Sequence, residues 1–216
     1  MGTFFQNGPV YGIVTDNADP DGLGRVKVKI GFLGEDIETN WIPVMTLYGS
    51  PECGSFFLPE IDDQVVVVFL NDNPEQGIVL GSVWSEAAPP PETGENTGSD
   101  LNKDDENNLK FIKSRSGHQI ILDDKDGEEK IQILAADGTT RFEFLAKDEK
   151  INIETDKDLR ISAGGKLSIE ADEGEFTFDK GLKIEADKIA EESKSQNIES
   201  IASQSMQVEG SSVKLN

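Results

Sequence analysis

Apolar and polar residues alternate along the C-terminal part of the chain, from about residue 147 to residue 216. Short apolar–x–apolar pairs recur there, and three of them, at Ile151, Leu159 and Leu167, begin eight residues apart. Turn-forming Asp, Lys, Glu, Gly and Ser residues separate the pairs. Alternation with a period of two predicts short strands with one buried face. The predicted core residues are Ile151, Ile153, Leu159, Ile161, Leu167, Ile169, Phe176, Phe178, Leu182 and Ile184.

The apolar stripe is narrow, which limits how it can be buried. Each repeat supplies about two large apolar side chains, and each of these contributes roughly 1.5–3 kcal/mol when fully buried. Ordering the backbone costs roughly 1–2 kcal/mol per residue, and a lone ribbon leaves its strand edges open. Three copies that face inward solve both problems, so the repeat predicts one third of a trimeric intertwined β-helix, or β-prism. The alternative is an ordinary antiparallel sheet face.

Residues 1–85 have a different pattern, which predicts a compact β domain. Strands are expected near 10–14, 25–30, 41–44, 64–70 and 77–84, separated by turns rich in Gly, Pro and Asp. The stretch 64–70 is apolar on both faces, as is typical of a central strand. Short strands of this kind predict a small closed barrel of the oligonucleotide-binding (OB) type. The predicted fold class is therefore all-β, with an OB-type barrel followed by the β-prism needle.

The middle of the chain predicts a linker and then a second β region. Residues 86–108 are rich in Pro at the start and in acidic residues afterwards, which is typical of a stiff and then flexible linker. Alternating segments resume at about residue 109 and continue into the repeats without a change in composition, so 109–216 is predicted to be one needle domain. Residues 186–205 also contain helix-forming residues; we interpret them as continued β-prism, with a helix as the alternative.

The charge of the chain excludes several partners. It carries 42 acidic and 20 basic residues, a net charge of −22, and residues 1–85 hold three basic residues against twelve acidic ones. Phosphate backbones and anionic membrane surfaces are bound through Lys and Arg, so we expect no nucleic-acid partner and no binding to an anionic membrane surface. The N-terminal residues have neither a basic flank nor a long apolar run. We therefore expect a protein made in the cytoplasm without a signal peptide.

Candidate chemistry along the chain is sparse. Loops at 17–22 and 124–127 resemble the start of a calcium loop, but Val28 and Ile133 stand where the final bidentate Glu is required. His118 and Cys53 are the only His and the only Cys, and we predict a structural role for His118 and a buried, inert thiol for Cys53. No nucleophile elbow or phosphate loop is present. We expect no catalytic residues, no metal and no cofactor. Core packing is predicted for Tyr11, Trp41, Tyr48 and Trp84.

The order of these motifs resembles that of one family. The N-terminal motifs are Gly12-Ile13-Val14, Asp19-Pro20, Gly24-Arg25-Val26-Lys27-Val28, Trp41-Ile42-Pro43-Val44, Leu58-Pro59-Glu60 and Gly77-Ile78-Val79-Leu80-Gly81. Together they resemble the OB domain of central-spike proteins of contractile injection systems, which include the phage baseplate assembly protein V and the VgrG spikes. Ser116-Gly117-His118-Gln119-Ile120 is similar to the entry to their needle. One departure is Asp62, which stands where the family usually has Gly.

The resemblance implies a structural spike at the tip of a contractile tail or injection particle. It implies a homotrimer whose barrels attach to hub or tube proteins of the baseplate and whose needle makes transient contact with the target envelope as it pierces it. Larger relatives carry a lysozyme or hub domain, for which this chain has only the 86–108 linker, so hydrolysis is not expected. A tip protein resembling the small PAAR-repeat cones is expected to bind the last repeat. Its predicted contacts are Val208, Val213 and Leu215.

Two other functions remain open from the sequence. The first is a trimeric receptor-binding or glycan-binding tail fibre, although a fibre would normally end in a globular head and this chain ends in repeats. The second is a hydrolytic spike. The kind of particle, the target cell and the hub partner are not indicated by any motif.

Overall fold

The computed structural model describes residues 8–31, 38–93, 105–194 and 198–203, together with residues 205, 207 and 209. The chain divides into two compact units, residues 1–160 and 161–216. The predicted boundaries of the barrel, linker and needle domains stay predictions. In the described part of the chain, every helix is too short or too polar to cross a membrane.

The first unit begins with a nearly closed β-barrel. Its five principal strands are β1 (Val10–Asp16), β2 (Arg25–Lys29), β3 (Ile42–Pro43), β6 (Gln64–Phe69) and β7 (Gly77–Ser82). They form one sheet in the order β3-β2-β1-β6-β7. A parallel bridge between Val44 and Val79 brings the two ends of the sheet together, and the Met45 N–H donates to the Val79 carbonyl at 2.7 Å. This five-stranded arrangement agrees with the predicted OB-type barrel.

The barrel core follows the alternation in the sequence. Every second residue of β1, β2 and β6 points inward, and small β-branched side chains fill the interior. The core residues are Val10, Val14, Val26, Val28, Ile30, Ile42, Val65, Val67 and Val79. Gly12 also faces inward, and a Cβ there would lie 2.3 Å from Cγ1 of Val28. Glycine at this position therefore lets β1 and β2 approach closely.

A small hairpin lies between β3 and β6, and the sequence did not predict it. It consists of β4 (Gly49–Ser50) and β5 (Cys53–Gly54), which pair only with each other. A short 3-10 turn, Leu70–Asp72, follows β6. The turn before β6 contains Asp62, which has a φ of 73°. Asp62, which stands where the family usually has glycine, therefore adopts a left-handed backbone conformation.

A second sheet completes the first unit. It is formed by β8 (Leu109–Lys113), β9 (Gln119–Asp123), β10 (Lys130–Leu134), β11 (Arg141–Leu145) and β12 (Lys150–Glu154). The order is β12-β11-β10-β9-β8, so each strand pairs with its neighbours in sequence. Gly127 (φ 71°) and Gly138 (φ 74°) lie in two of the connecting turns. The β segments predicted between residues 109 and 154 are confirmed.

The remainder of the chain differs from the prediction. From residue 155 onward, the described residues form neither strand nor helix, and this holds for the described part of 186–205. The eight predicted core residues from Leu159 to Ile184 are 52–77% exposed. The C-terminal β-prism is therefore not confirmed in the single chain. The predicted tip residues Val208, Val213 and Leu215 lie outside the described residues.

Candidate assembly surface

One face of the β8–β12 sheet is almost wholly apolar. Residues paired across antiparallel strands share a face, and the register aligns two rows of side chains. The first row is Ile112, Ile120, Ile133, Phe142 and Ile153. The second row begins with Lys110 and continues with Leu122, Ile131, Phe144 and Ile151. We call the nine apolar residues of these rows the apolar sheet face.

Solvent reaches most of the apolar sheet face in the single chain. Eight of its nine side chains are 40–59% exposed, and Phe142 is half-buried. The rings of Phe142 and Phe144 pack edge to face, with centroids 4.9 Å apart. A contiguous exposed apolar surface of this kind marks an interaction site in a soluble protein.

The opposite face of the same sheet carries a mixed row at its centre, with Phe111 and the buried Ile121 at one end. There the register places Gln132, Glu143 and Asn152 side by side. The Gln132 Nε2 donates to Glu143 Oε1 at 2.6 Å, and the Asn152 Nδ2 donates to Oε2 at 3.4 Å. Burial raises the pKa of Glu143, but these hydrogen bonds and the nearby Arg141 and Lys130 outweigh it, so the net pKa is lowered. Glu143 is therefore held as a partnered carboxylate.

His118 lies at one end of the apolar sheet face. It borders an open depression of about 570 Å³ whose other walls include Ile120, Ile133 and Phe142. The His118 Nδ1 accepts a hydrogen bond from the Ala136 N–H at 3.1 Å, and the His118 N–H donates to Ser114 Oγ at 3.0 Å. The bond to Ala136 ties the β8–β9 turn to the β10–β11 turn, and the bond to Ser114 lies within the β8–β9 turn, which agrees with a structural role. The described residues contain no cluster of His, Cys, Asp and Glu suited to a metal ion.

The turn between β1 and β2 is built on a buried carboxylate. The side chain of Asp19 is 3% exposed, and it accepts hydrogen bonds from the backbone N–H groups of Asp21, Leu23 and Arg25. The guanidinium of Arg25 also donates to both Asp19 oxygens. The Arg25 hydrogen bonds hold the pKa of Asp19 well below its usual range, against the opposing effect of burial. The loop at 17–22 is thus closed by Arg25, which agrees with a turn.

Apolar side chains also cluster on the β4–β5 hairpin of the barrel. Met45, Leu47, Tyr48, Phe56 and Phe57 are 58–95% exposed, and we call these five residues the hairpin patch. The sequence analysis missed the patch. A signal was present, because the pairs 47–48 and 56–57 flank a turn that contains Pro51.

Two kinds of core prediction are wrong in this region. Cys53 is exposed, and its Sγ lies 3.3 Å from the Tyr48 hydroxyl, because both residues belong to a hairpin outside the barrel interior. Tyr11, Tyr48 and Trp84 are 59–65% exposed, since the interior is already filled by Val and Ile. Trp41 is half-buried, and Lys27 Nζ lies 5.4 Å from its ring centroid.

The predicted trimer-core residues fall into two groups. Ile151 and Ile153 lie on β12 and belong to the apolar sheet face. The other eight, from Leu159 to Ile184, are exposed and lie outside strands. Seven further members of the apolar sheet face lie on β8–β11, and the sequence analysis had not assigned them to a trimer core.

Comparison with known proteins identifies the barrel. Residues 10–84 match the model of the type VI secretion system/phage-baseplate injector OB domain. Residues 10–84 are therefore similar to this domain, and we call them the injector OB domain. The injector OB domain thus comprises all five principal strands of the barrel and the hairpin patch.

Two curated relatives extend the match beyond the injector OB domain. The chain is 26% identical over 172 residues to the type VI secretion system spike protein VgrG5 of Pseudomonas aeruginosa, and 25% identical over 174 residues to VgrG4b of the same organism. Each match covers 77% of this chain but only 20% and 19% of the respective relative. The chain thus spans about a fifth of the length of the curated relatives it matches. The predicted resemblance to VgrG-like spike proteins is confirmed.

Proposed function

We propose that the chain is the structural central spike of a contractile tail or injection particle. In this proposal the injector OB domain attaches to hub or tube proteins, and residues 109–216 form a trimeric needle that pierces the target envelope. The similarity to spike proteins supports the general role. The exposed apolar sheet face is the observation that carries the trimeric arrangement.

The apolar sheet face is suited to packing between copies of this chain. Its nine side chains lie in two adjacent rows, so they form a continuous surface that a single chain leaves in water. Burying such side chains between copies is favourable because it removes apolar area from water. The other face of the sheet carries the partnered Gln132, Glu143 and Asn152.

The segment after β12 supports the same arrangement. Leu159, Leu167 and Ile169 are 59–73% exposed in a segment that forms no strand in the described single chain. In an intertwined β-prism, the neighbouring strands come from other copies, and so do the side chains that bury these residues. A single chain cannot supply either. The predicted trimer core from Leu159 to Ile184 therefore remains part of the proposal.

The remaining parts of the proposal concern partners and location. The spike is made in the cytoplasm and joins a tail or particle. Val208, Val213 and Leu215 contact a PAAR-like tip protein at the end of the last repeat. The protein acts mechanically and not as an enzyme. Incubation with purified cell walls is expected to leave their turbidity at the level of the buffer control, and clearing beyond that level would contradict the non-enzymatic role.

Sedimentation equilibrium tests the trimer directly. The expected mass is three times the 23.6 kDa of one chain. A folded protein that sediments at the monomer mass would overturn the trimeric needle. Attachment is tested separately with a fragment that contains only residues 109–216. The 109–216 fragment is expected to trimerise but to be absent from purified particles, and its presence there at wild-type levels would contradict docking through the injector OB domain.

A further inference from the structure

The hairpin patch is a second exposed apolar surface, separate in sequence from the apolar sheet face. Leu47 is 95% exposed, Phe56 76% and Phe57 65%. The barrel core is complete without them, because Val and Ile side chains from the barrel strands fill it. Isolated exposed apolar residues are common on protein surfaces, but five large ones in the two short segments that flank one hairpin indicate a surface that another molecule covers.

The hairpin is held in one conformation. Ser55 N–H donates to the Tyr48 carbonyl at 2.9 Å, and Thr46 Oγ1 donates to the Ser55 carbonyl at 2.5 Å. The ring of Phe56 rests against Gly24 in the β1–β2 turn, where a Cβ would lie 3.1 Å from Phe56 Cε2. The patch is therefore preformed, which lowers the entropic cost of binding.

Charge around the hairpin patch limits its partner. Residues 1–85 have three basic residues against twelve acidic ones. Arg25 is paired with Asp19 and Asp21, and Lys27 is paired with Glu38. An exposed carboxylate, Glu52, lies in the turn of the hairpin that the patch flanks. A partner with basic groups would complement it and the net negative charge of residues 1–85.

We propose that the hairpin patch is the surface through which the barrel docks onto the hub or tube of the particle. The partner presents an apolar pocket bordered by Lys or Arg side chains. Phe57 and Leu47 fill the pocket, and Glu52 faces its basic border. This inference rests on the proposed function, because it specifies the contact that attaches the spike.

Particle incorporation of substituted spikes tests the proposal. The gene is deleted from the strain that carries it and replaced by wild type, Leu47→Ser, Phe57→Ser or the double variant, and the amount of spike per tube protein is measured in purified particles. We expect roughly a tenfold or greater loss for the double variant, because buried apolar anchors dominate interface energetics. Tyr11→Ser is the matched control, since Tyr11 is also 65% exposed but lies on β1. It is expected to leave incorporation unchanged.

A charge reversal at Glu52 tests whether the partner is basic. Glu52→Lys keeps the apolar residues and places a cation beside the basic border, so incorporation is expected to fall severalfold. Glu75→Lys, an exposed carboxylate outside the hairpin, is expected to retain wild-type incorporation. Normal incorporation of Glu52→Lys would overturn the basic partner. Because Glu52 is exposed, this variant also tests the surface without removing any apolar side chain.

The oligomeric mass of each variant distinguishes the outcomes. Loss of incorporation with an unchanged trimer and melting temperature supports docking through the hairpin patch. Normal incorporation of the double variant overturns it while leaving the proposed function intact. Loss of the trimer in Leu47→Ser or Phe57→Ser would place the hairpin patch between copies of the chain, and this result would also overturn the docking proposal. Absence of the wild-type protein from particles would instead overturn the proposed function.

Discussion

Arg25 closes the β1–β2 turn by binding both carboxylate oxygens of Asp19. Its Nε lies 2.8 Å from Oδ2 and its Nη2 lies 2.7 Å from Oδ1, while Nη2 also lies 2.5 Å from an oxygen of Asp21. A bidentate contact of this kind fixes geometry as well as charge. The Asp19 carboxylate also accepts hydrogen bonds from the backbone N–H groups of Leu23 and Arg25. The turn that positions Gly24 against Phe56 therefore depends on the ionised form of Asp19.

Replacement of Asp19 by Asn should destabilise the barrel in a pH-dependent way. The pKa of Asp19 is held well below its usual 3.8 by Arg25, so its ionised form stabilises the folded state above that value. This stabilisation is lost as the pH falls from 3.8 toward the lower pKa of the folded state. Thermal melting should show a drop of several degrees for Asp19→Asn at pH 7, and the gap should narrow at pH 3. Glu75→Gln serves as the control and should melt like wild type at pH 7.

An aspartate on the apolar sheet face should prevent trimer formation. In Ile133→Asp, assembly would bury three carboxylates without partners, at a cost of several kcal/mol per ion. Sedimentation should therefore give the monomer mass of 23.6 kDa. Lys150→Asp is the control, because Lys150 lies on β12 next to the polar row and is exposed. A trimer of normal stability in Ile133→Asp would mean that this face lies outside the interface.

The predicted β-prism core can be tested in the same manner. Ile161→Asp and Ile169→Asp place a charge at alternating positions proposed to face the trimer axis, so either change should lower the melting temperature of the trimer or abolish it. Ser168→Asp alters the neighbouring position, which a strand would direct outward, and should have little effect. Equal effects at positions 168 and 169 would contradict a strand there.

Replacement of Asp62 by glycine should raise the stability of the barrel. A non-glycine residue in the left-handed region carries a penalty of roughly 1–2 kcal/mol, and Asp62 has a φ of 73°. Asp62→Gly removes that penalty. Glycine also loses more backbone entropy on folding, which lowers the gain in stability by about 0.5–1 kcal/mol. The expected result is a barrel stabilised by up to about 1 kcal/mol in urea unfolding. Asp62→Ala should be destabilising, and a gain with Ala would refute the explanation by backbone conformation.

Cys53 should react as an exposed thiol. Titration of the native protein with a water-soluble disulfide reagent should release about one equivalent per chain without denaturant, since Cys53 is exposed and is the only cysteine. Cys53→Ser should give none. A thiol that reacts only after unfolding would indicate that the hairpin is covered in the free protein.

The sequence was informative about strands because alternation reports which residues share a face. It predicted β1, β2, β3, β6 and β7, and it predicted the β segments that became β9–β12. Alternation does not report what covers an apolar face. Tyr48 and Cys53 were therefore assigned to a core, although the buried barrel core consists of Val and Ile side chains, and Cys53 is exposed. The hairpin patch was missed because its strands are two residues long.

The candidate assembly surface was predicted only in part. Ile151 and Ile153 were placed in the core from their spacing, but their counterparts on β8–β11 become visible only through the strand register. The register depends on turn positions such as Gly127 and Gly138, whose positive φ values set where each strand reverses. The spacing of apolar residues indicates that a face must be covered, but it does not show which residues of another strand or another chain cover it.

The meander order of β8–β12 has a consequence for the time course of assembly. Every strand of this sheet pairs with its neighbour in sequence, so its contacts are local and can form quickly within one newly made chain. An intertwined segment must instead wait for two other chains. In the proposed trimer, we therefore expect the sheet to form first in each chain and to align the three chains in a common register. The repeats could then associate in order, from residue 155 toward the C-terminus.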